Sequence, residues 1–131
     1  PDLSRLGPDA LTVTATQLRG VLARSAAPVK ARLLDQSRLA GVGNLLADET
    51  LWRAGIDPAR PAGDLDPDEV RRLAGHLRRT IALLLERGGS HTGDLQSERH
   101  VGGRCPRDGA ELERRTVGGR TTYSCPRHQV R

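Results

Sequence analysis

The sequence contains almost no aromatic residues. Trp52 and Tyr123 are the only two, and Phe and Met are absent. A folded core must therefore be built from Leu, Val, Ile and Ala, and a protein that stacks successive unpaired bases on aromatic side chains is disfavoured. No apolar run approaches the ~20 residues that a membrane-spanning helix requires. The first residues lack the basic-then-apolar order of a secretion signal, so we expect a cytoplasmic protein.

Cysteine and lysine are also scarce. Two cysteines are too few for a disulfide scaffold. Lys30 is the only lysine among 21 basic residues, and the chain carries a net charge of +5 with a pI near 10.5. Arginine presents a flat fork of donors that suits phosphate oxygens. A high arginine content can also follow from a GC-rich genome, so composition gives only modest support for a polyanionic partner. The length of 131 residues suits one domain with a small appendage.

Residues 30–58 predict two short helices joined by a tight turn. Gly41 and Gly43 permit backbone torsions that other residues resist, so the chain can reverse between the helices. The second helix is expected to open at Asn44. Free N–H groups at a helix start form a phosphate-binding geometry. In the simpler alternative, Asn44 only caps the helix, and the two roles are compatible.

Two further helix starts are marked by capping boxes. Thr14 precedes Gln17 by three residues, and Asp66 precedes Glu69 by three with a proline between them. The second box opens an amphipathic helix of about five turns that Gly88 and Gly89 end, with arginines that we expect to be solvated. We therefore predict a helical domain over residues 1–89, with about four to five helices.

The last segment, residues 104–131, predicts a metal-binding finger, and residues 90–103 predict a linker to it. A weak β-hairpin pattern surrounds Gly118-Gly119. On either side lie Cys105-Pro-Arg-Asp108 and Cys125-Pro-Arg-His128, which have the spacing of a zinc ribbon with the second cysteine of each pair replaced. Thiolate, carboxylate and imidazole are all zinc ligands, so we predict one zinc ion bound by these four residues.

Two alternatives to this zinc site stay open. The hairpin could lack metal and join Cys105 to Cys125 in a disulfide, or His91 or His100 could replace Asp108 as a ligand. Zinc is favoured because a short tail with few apolar residues cannot bury a core of its own, and a reducing compartment disfavours disulfides. A carboxylate in place of a thiolate should weaken zinc binding and make it more sensitive to pH.

In order and spacing, these features resemble the C-terminal half of the formamidopyrimidine-DNA glycosylase and endonuclease VIII family of base-excision repair enzymes. The resemblance covers nearly the whole chain, and it implies a mainly α-helical helix–two-turn–helix domain followed by a zinc finger whose hairpin enters the minor groove of damaged DNA. The matching residues are Lys30-x-x-Leu33-Leu34-Asp35-Gln36, Ala40-Gly41-Val42-Gly43-Asn44, Asp48-Glu49-x-Leu51, Arg53-Ala54-Gly55-Ile56-x-Pro58, Gly88-Gly89 and Arg120-x-Thr122-Tyr123-x-Cys125-Pro126-x-x-Gln129.

The resemblance also implies roles for individual residues. Lys30 and Asn44 are expected to contact phosphates that flank a lesion, and Arg120 the phosphates around a flipped-out nucleotide. An ammonium, an amide and a guanidinium are all competent phosphate ligands, although Arg120 could also be solvated surface. The expected partner is duplex DNA, including damaged duplexes. We expect the protein to be a monomer and to be associated with the nucleoid. A repair protein is a further candidate partner.

The sequence departs from the family where catalysis is concerned. The family's chemistry resides in an N-terminal domain, where a terminal proline amine attacks the sugar and an adjacent glutamate transfers protons. This chain begins Pro1-Asp2, but residues 1–9 resemble the segment that leads into the helical domain, and no β-sandwich sequence is present. The linker is also shorter than in the family, which puts lesion discrimination by its base-covering loop in question. We therefore expect no catalytic residue in this chain.

These observations predict a DNA-binding protein related to base-excision repair glycosylases but without a glycosylase domain. Two alternatives are carried forward. In the first, the chain is a glycosylase or abasic-site lyase, active alone or as the C-terminal part of a longer enzyme. In the second, it is a module that binds a protein or RNA.

Overall fold

The structure, a computed structural model, describes residues 7–131, so the Pro1-Asp2 start lies outside the described residues. The described part is mainly helical and ends in a two-stranded antiparallel hairpin, which confirms the predicted fold class. None of its helices is long and apolar enough to cross a membrane. The elements are α1 (Ala15–Leu22), α2 (Val29–Leu34), α3 (Asn44–Ala54), α4 (Pro67–Arg87), β1 (Glu113–Val117) and β2 (Arg120–Ser124), with short 3-10 helices at Ala62–Asp64, Ser90–Thr92 and Gln96–Glu98.

Local capping sets the starts of α1 and α4. The Thr14 hydroxyl accepts the Gln17 amide at 3.1 Å, while the Gln17 side chain accepts the Thr14 amide at 3.0 Å. Asp66 and Glu69 exchange the same pair of bonds at the start of α4. Gly88 ends α4 with a φ of +106°, a conformation that glycine adopts without strain. Both predicted boxes are confirmed.

The turn before α3 differs from the sequence expectation. Gly41 has a φ of +97° and needs to be glycine, but Gly43 has an extended backbone with a φ of −96°. Gly43 is the N-cap and Asn44 is the first helical residue, and the Asn44 side chain makes no capping hydrogen bond. The alternative in which Asn44 caps the helix is therefore wrong, because the helix begins one residue earlier than that role requires.

The helical domain encloses an aliphatic core. The long helix α4 packs against both α1 and α3, and the apolar stripe predicted for α4 faces them. Two of its outer arginines bind backbone carbonyls, Arg72 that of Ala54 and Arg78 that of Val13. Completely buried core residues include Val13, Leu18, Val29, Leu33, Leu39, Ala47, Leu51, Ile56, Leu73 and Leu77.

The predicted linker, residues 90–103, is ordered in the structure. It contains two 3-10 helices, and Leu95 is buried. The Glu49 carboxylate accepts the Leu95 amide at 3.0 Å and the Asp94 amide at 3.2 Å. Glu49 and its neighbour Asp48 lie beyond the first turn of α3, and both are buried and bind other segments.

The hairpin forms as predicted, with Val117 paired to Arg120 across the Gly118-Gly119 turn. It packs on a second, smaller apolar cluster. The chain after β2 returns to the helical domain, where Val130 donates its amide to the Gly55 carbonyl at 2.8 Å. The members of the second cluster are Trp52, Leu95, Cys105, Ala110, Leu112, Tyr123 and Cys125.

Candidate nucleic-acid interface and metal centre

The four predicted metal ligands lie together at the base of the hairpin. Ligand atoms from Cys105, Asp108, Cys125 and His128 are all within 4.8 Å of one another. The Cys125 Sγ is 3.2 Å from Asp108 Oδ2, which is also 3.2 Å from His128 Nδ1. The Cys105 Sγ is 3.6 Å from His128 Nδ1. The hairpin therefore brings two sequence segments about twenty residues apart into one cluster that could bind a metal.

Three of the separations among these atoms are close to those around a tetrahedral zinc ion. With zinc–sulfur bonds of about 2.3 Å and zinc–nitrogen or zinc–oxygen bonds of about 2.0–2.1 Å, neighbouring ligand atoms lie roughly 3.3–3.8 Å apart. The separations of 3.2–3.6 Å in the cluster are close to this range. One carboxylate oxygen, one imidazole nitrogen and two sulfurs supply the four donors that a closed structural site requires.

Trp52 orients two of these ligands. Its carbonyl oxygen lies 2.9 Å from His128 Nε2, and because a carbonyl can only accept, this ring nitrogen carries the proton. Nδ1, which faces the Asp108 carboxylate and the Cys105 sulfur, is then the ring nitrogen that would bind a metal. The indole Nε1 donates to the Cys105 Sγ at 3.2 Å, which stabilises negative charge on that sulfur. The helical domain thus provides the outer support for ligands in the finger.

The protonation of two ligands differs from that of free side chains. A hydrogen bond from the Ala110 amide is the largest of several that lower the pKa of Asp108 to about 2, so its carboxylate is ionised at neutral pH. Burial raises the pKa of the Cys125 thiol to about 11. A metal ion that binds Cys125 must therefore displace a proton, and binding is expected to strengthen as pH rises.

The alternatives to the four-ligand set receive no support in residues 7–131. Both cysteines are free thiols. His91 and His100 lie outside the cluster, and the His100 ring contacts the carbonyl of Val101 on the exposed surface.

Lys30 and Asp48 join the helical domain to the hairpin. The Lys30 Nζ lies 2.7 Å from Asp48 Oδ1, and both side chains are completely buried. Nζ also donates to the Thr122 hydroxyl at 2.6 Å, while Asp48 Oδ2 accepts the Tyr123 amide at 3.0 Å. Arg99 from the segment before the finger forms a second ion pair with Asp48. Burial lowers the pKa of Lys30, and the pairing with Asp48 opposes that effect.

The three predicted phosphate ligands meet at one residue of the hairpin. The Thr121 carbonyl accepts from Asn44 Nδ2 at 3.1 Å and from Lys30 Nζ at 3.3 Å, and Arg120 is the preceding residue. Arg120 is exposed and Asn44 is half-buried, whereas Lys30 has no exposed surface. Phosphate contact by Lys30 stays a prediction, and it would require the buried ion pair to open.

Several residues that support this arrangement were not predicted to do so. Arg99 lies in a segment with no periodicity, and Asp48 was noted only as part of the matching motif. Gln129 accepts the Cys125 amide at 2.6 Å and donates to the Ile56 carbonyl at 2.9 Å, which anchors the metal cluster to the helical domain. The only sequence feature that pointed to Gln129 was its position in the matching motif.

Arg115 pairs with the buried Asp57 at 2.8 Å, and no local sequence pattern predicts that contact.

Comparison with known proteins connects this geometry to a family. Residues 6–96 match the formamidopyrimidine-DNA glycosylase H2TH domain, which is more than half of the chain. The chain belongs to the formamidopyrimidine-DNA glycosylase family. The resemblance and the fold class predicted from the sequence are both confirmed.

Individual relatives agree with this assignment. The chain is 43% identical to the formamidopyrimidine-DNA glycosylase of Thermus thermophilus, across 96% of this chain and 54% of the relative. It is 39% identical to that of Laribacter hongkongensis, across 96% and 52%. The Lactococcus lactis Fpg, in complex with DNA containing an abasic site, superposes with a TM-score of 0.84 at 29% identity, covering 98% of this chain and 53% of that one. The chain thus spans about half the length of the relatives it matches.

Proposed function

We propose that this chain binds duplex DNA, including abasic or otherwise damaged duplexes, through phosphate contacts from Asn44 and Arg120. One observation carries the proposal: the hairpin turn bearing Arg120 is held against the start of α3 by hydrogen bonds to the Thr121 carbonyl. A guanidinium and the free amides of a helix start then lie side by side, and both are phosphate donors. The DNA complex of the Lactococcus lactis relative supports the choice of ligand.

In this proposal Lys30 positions the hairpin, and it would contact phosphate only if its buried ion pair with Asp48 opened. Its ammonium is engaged by Asp48, Thr122 and Thr121 and has no exposed surface. Its effect on DNA binding would pass through the placement of Arg120. Replacement of Lys30 should therefore disturb the hairpin as well as the affinity for DNA.

We further propose that Cys105, Asp108, Cys125 and His128 bind one zinc ion. The spacing of their donor atoms and the tautomer of His128 support this choice. The ion would hold the two ends of the hairpin together. Its role is structural in this proposal, because all four positions of a tetrahedral site are filled by the protein.

The test is equilibrium binding to matched undamaged and abasic duplexes over a range of salt concentrations. Each phosphate contact contributes about 0.9 to the slope of log K against log salt. Arg120→Ala and Asn44→Ala should each weaken binding and lower that slope by roughly 1, whereas Arg38→Ala, on an exposed surface, should leave it unchanged. A flat salt dependence in the wild type would exclude the phosphate-contact proposal. If Arg120→Ala and Asn44→Ala left DNA binding unchanged, a protein- or RNA-binding module would be favoured.

A second candidate function is abasic-site lyase or glycosylase activity, because the relatives that match across 96% of this chain are named glycosylases. Borohydride trapping on abasic DNA distinguishes the two candidates. If the chain only binds DNA, no covalent adduct should form. An adduct that disappears when Pro1 is removed would assign catalysis to the chain.

A further inference from the structure

A second basic site lies at the other end of α3 from the proposed DNA contacts. A cleft of about 210 Å³ is lined by Trp52, Arg53, His76, Asp94 and Arg107. Trp52 follows Asn44 by eight residues, which is about 12 Å along a helix. The cleft is therefore separate from the surface formed by Asn44 and Arg120, and neither of those residues lines it.

The acidic groups at this cleft are already neutralised. The Asp94 carboxylate pairs with Arg53 at 2.8 Å and with Arg87 at 2.9 Å. Arg53 also pairs with the buried Glu49 at 2.8 Å. These two carboxylates thus share two guanidinium groups, so they contribute no net negative charge to the cleft.

Further arginines add positive charge without acidic partners. Arg107 lines the cleft, and Arg72 and Arg79 from α4 act on His76 electrostatically. Arg72 donates to the Ala54 carbonyl, which leaves its charge uncompensated. Within residues 7–131, Arg79 and Arg107 form no ion pair. Like charges gathered around one cleft repel one another, and a bound anion relieves that repulsion.

His76 is suited to act as a neutral donor in this cleft. Burial, with the charges of Arg79, Arg72, Arg53 and Arg107, lowers the pKa of His76. The imidazole is therefore uncharged at neutral pH and can offer one N–H group. The guanidinium groups beside it offer forks of donors whose geometry matches tetrahedral oxyanions.

We propose that the cleft between α3, α4 and the segment of residues 105–108 binds a phosphate group through Arg107 and His76, with Arg79 on α4 adding positive charge nearby. The phosphate belongs either to the DNA backbone beyond the primary contact or to a free phosphate ion. Both sources present the same tetrahedral oxyanion.

Trp52 provides a direct measurement, because it is the only tryptophan of the chain and lines the cleft. The zinc-loaded full chain is titrated with inorganic phosphate, and separately with sulfate, at constant ionic strength set by chloride. A saturable change in fluorescence with a midpoint in the millimolar range is expected, with zinc content measured before and after.

Variants connect the signal to the cleft. Arg79→Gln/Arg107→Gln should weaken phosphate binding at least about tenfold, since one charge-assisted contact and one nearby positive charge are lost. Arg114→Gln, an exposed arginine of β1, is the matched control and should bind phosphate like the wild type. Circular dichroism checks that each variant is folded.

The proposal is overturned if phosphate changes the fluorescence no more than chloride does, if the double variant binds phosphate like the wild type, or if acetate binds as tightly as phosphate.

The salt dependence of DNA binding then identifies the source of the phosphate group. A slope reduced by roughly 1 or more in the double variant assigns the cleft to a backbone phosphate. An unchanged slope, together with lost phosphate binding, assigns it to free phosphate. Because the titration contains no DNA, its result is independent of the proposed DNA contacts.

Discussion

The helical domain and the hairpin finger are stabilised in different ways. The helical domain buries a large aliphatic core, in which residues such as Leu33, Leu51 and Leu73 have no exposed surface. The finger shares a small cluster that includes two cysteines and takes Trp52 from α3. A segment of this size cannot bury enough apolar surface to fold alone. The finger therefore combines a candidate metal-binding cluster with apolar contacts to the larger helical domain.

Polar contacts also connect the two regions. Asp48 receives Lys30 from α2, Arg99 from the connecting segment and the Tyr123 amide from the hairpin. Gln129 connects the metal cluster to the end of α3. The finger should therefore respond to changes in the helical domain more strongly than the helical domain responds to changes in the finger.

Removal of the proposed zinc ion should have the largest effect, and this effect should differ between the two regions. Structural zinc in small fingers contributes about 10–16 kcal/mol of apparent binding free energy. A chelator, or Asp108→Ala, should greatly increase amide exchange in the hairpin at Thr122 and Tyr123. Exchange at Leu73 and Leu77 in α4 should stay near its original rate. Equal loss of protection in both regions would show that the helical core also depends on the metal.

Asp48→Ala should be the most destabilising single substitution between the regions. It leaves Lys30 and Arg99 without their shared acidic partner in a buried site, which costs about 3–5 kcal/mol. Urea unfolding measures the loss. Lys30→Met/Asp48→Leu removes the charges of the Lys30–Asp48 pair together and should cost less than Asp48→Ala. A cost below ~1 kcal/mol for Asp48→Ala would mean that the two regions are not coupled through this residue.

A matched pair of leucines compares the two cores directly. Leu77→Ala in the helical domain should cost about 2–5 kcal/mol, because the side chain is completely buried. Leu112→Ala in the finger should cost less, since Leu112 retains 8% exposure in a smaller cluster. Thermal unfolding of the zinc-loaded proteins gives both values. A larger loss of stability for Leu112→Ala than for Leu77→Ala would contradict the smaller contribution expected from the apolar cluster of the finger.

The smallest expected effect is a pH dependence confined to the helical domain. Hydrogen bonding from Arg60 is the main reason that the pKa of Glu69 is lowered. The ionised carboxylate therefore stabilises the fold at pH values above the unfolded pKa of about 4.3. This contribution, about 1 kcal/mol, is lost as pH falls through the lower folded pKa.

Glu69→Gln should accordingly reduce stability at pH 7, with a difference from wild type that shrinks toward pH 3. Chemical unfolding at several pH values measures it. A difference that stays constant with pH would exclude the ionised pair as its cause.

Local features of the fold were predictable from the sequence because their causes are local. The capping boxes at Thr14 and Asp66 use atoms three residues apart, so the sequence alone identifies them. The hairpin turn at Gly118-Gly119 requires two positive φ values, 62° and 75°, which glycine provides. The four metal-type ligands were identified from their spacing, and the structure brings all of them together.

The contacts of Asn44 and of residues 90–103 could not be predicted from the sequence. The Asn44 side chain was expected to cap α3, to face a phosphate or to do both, and nothing in its local sequence predicted that it donates to Thr121, 77 residues away. Residues 90–103 have no periodicity, so nothing in them predicted the buried Leu95 or the contact of Arg99 with Asp48. Such contacts depend on which segments the folded chain brings together, and local sequence patterns do not encode that.

Lys30 shows the difference between local features, which the sequence predicts, and long-range contacts, which it does not. From the sequence we could predict that the only lysine of the chain lies in a short helix before a glycine turn, and its motif predicted a phosphate contact. The burial of its ammonium between Asp48 and the hairpin became visible only in the folded chain. The physical reason is that a buried charge requires an opposite charge and hydrogen-bond partners, and here these come from residues 18 and 92 positions further along the chain.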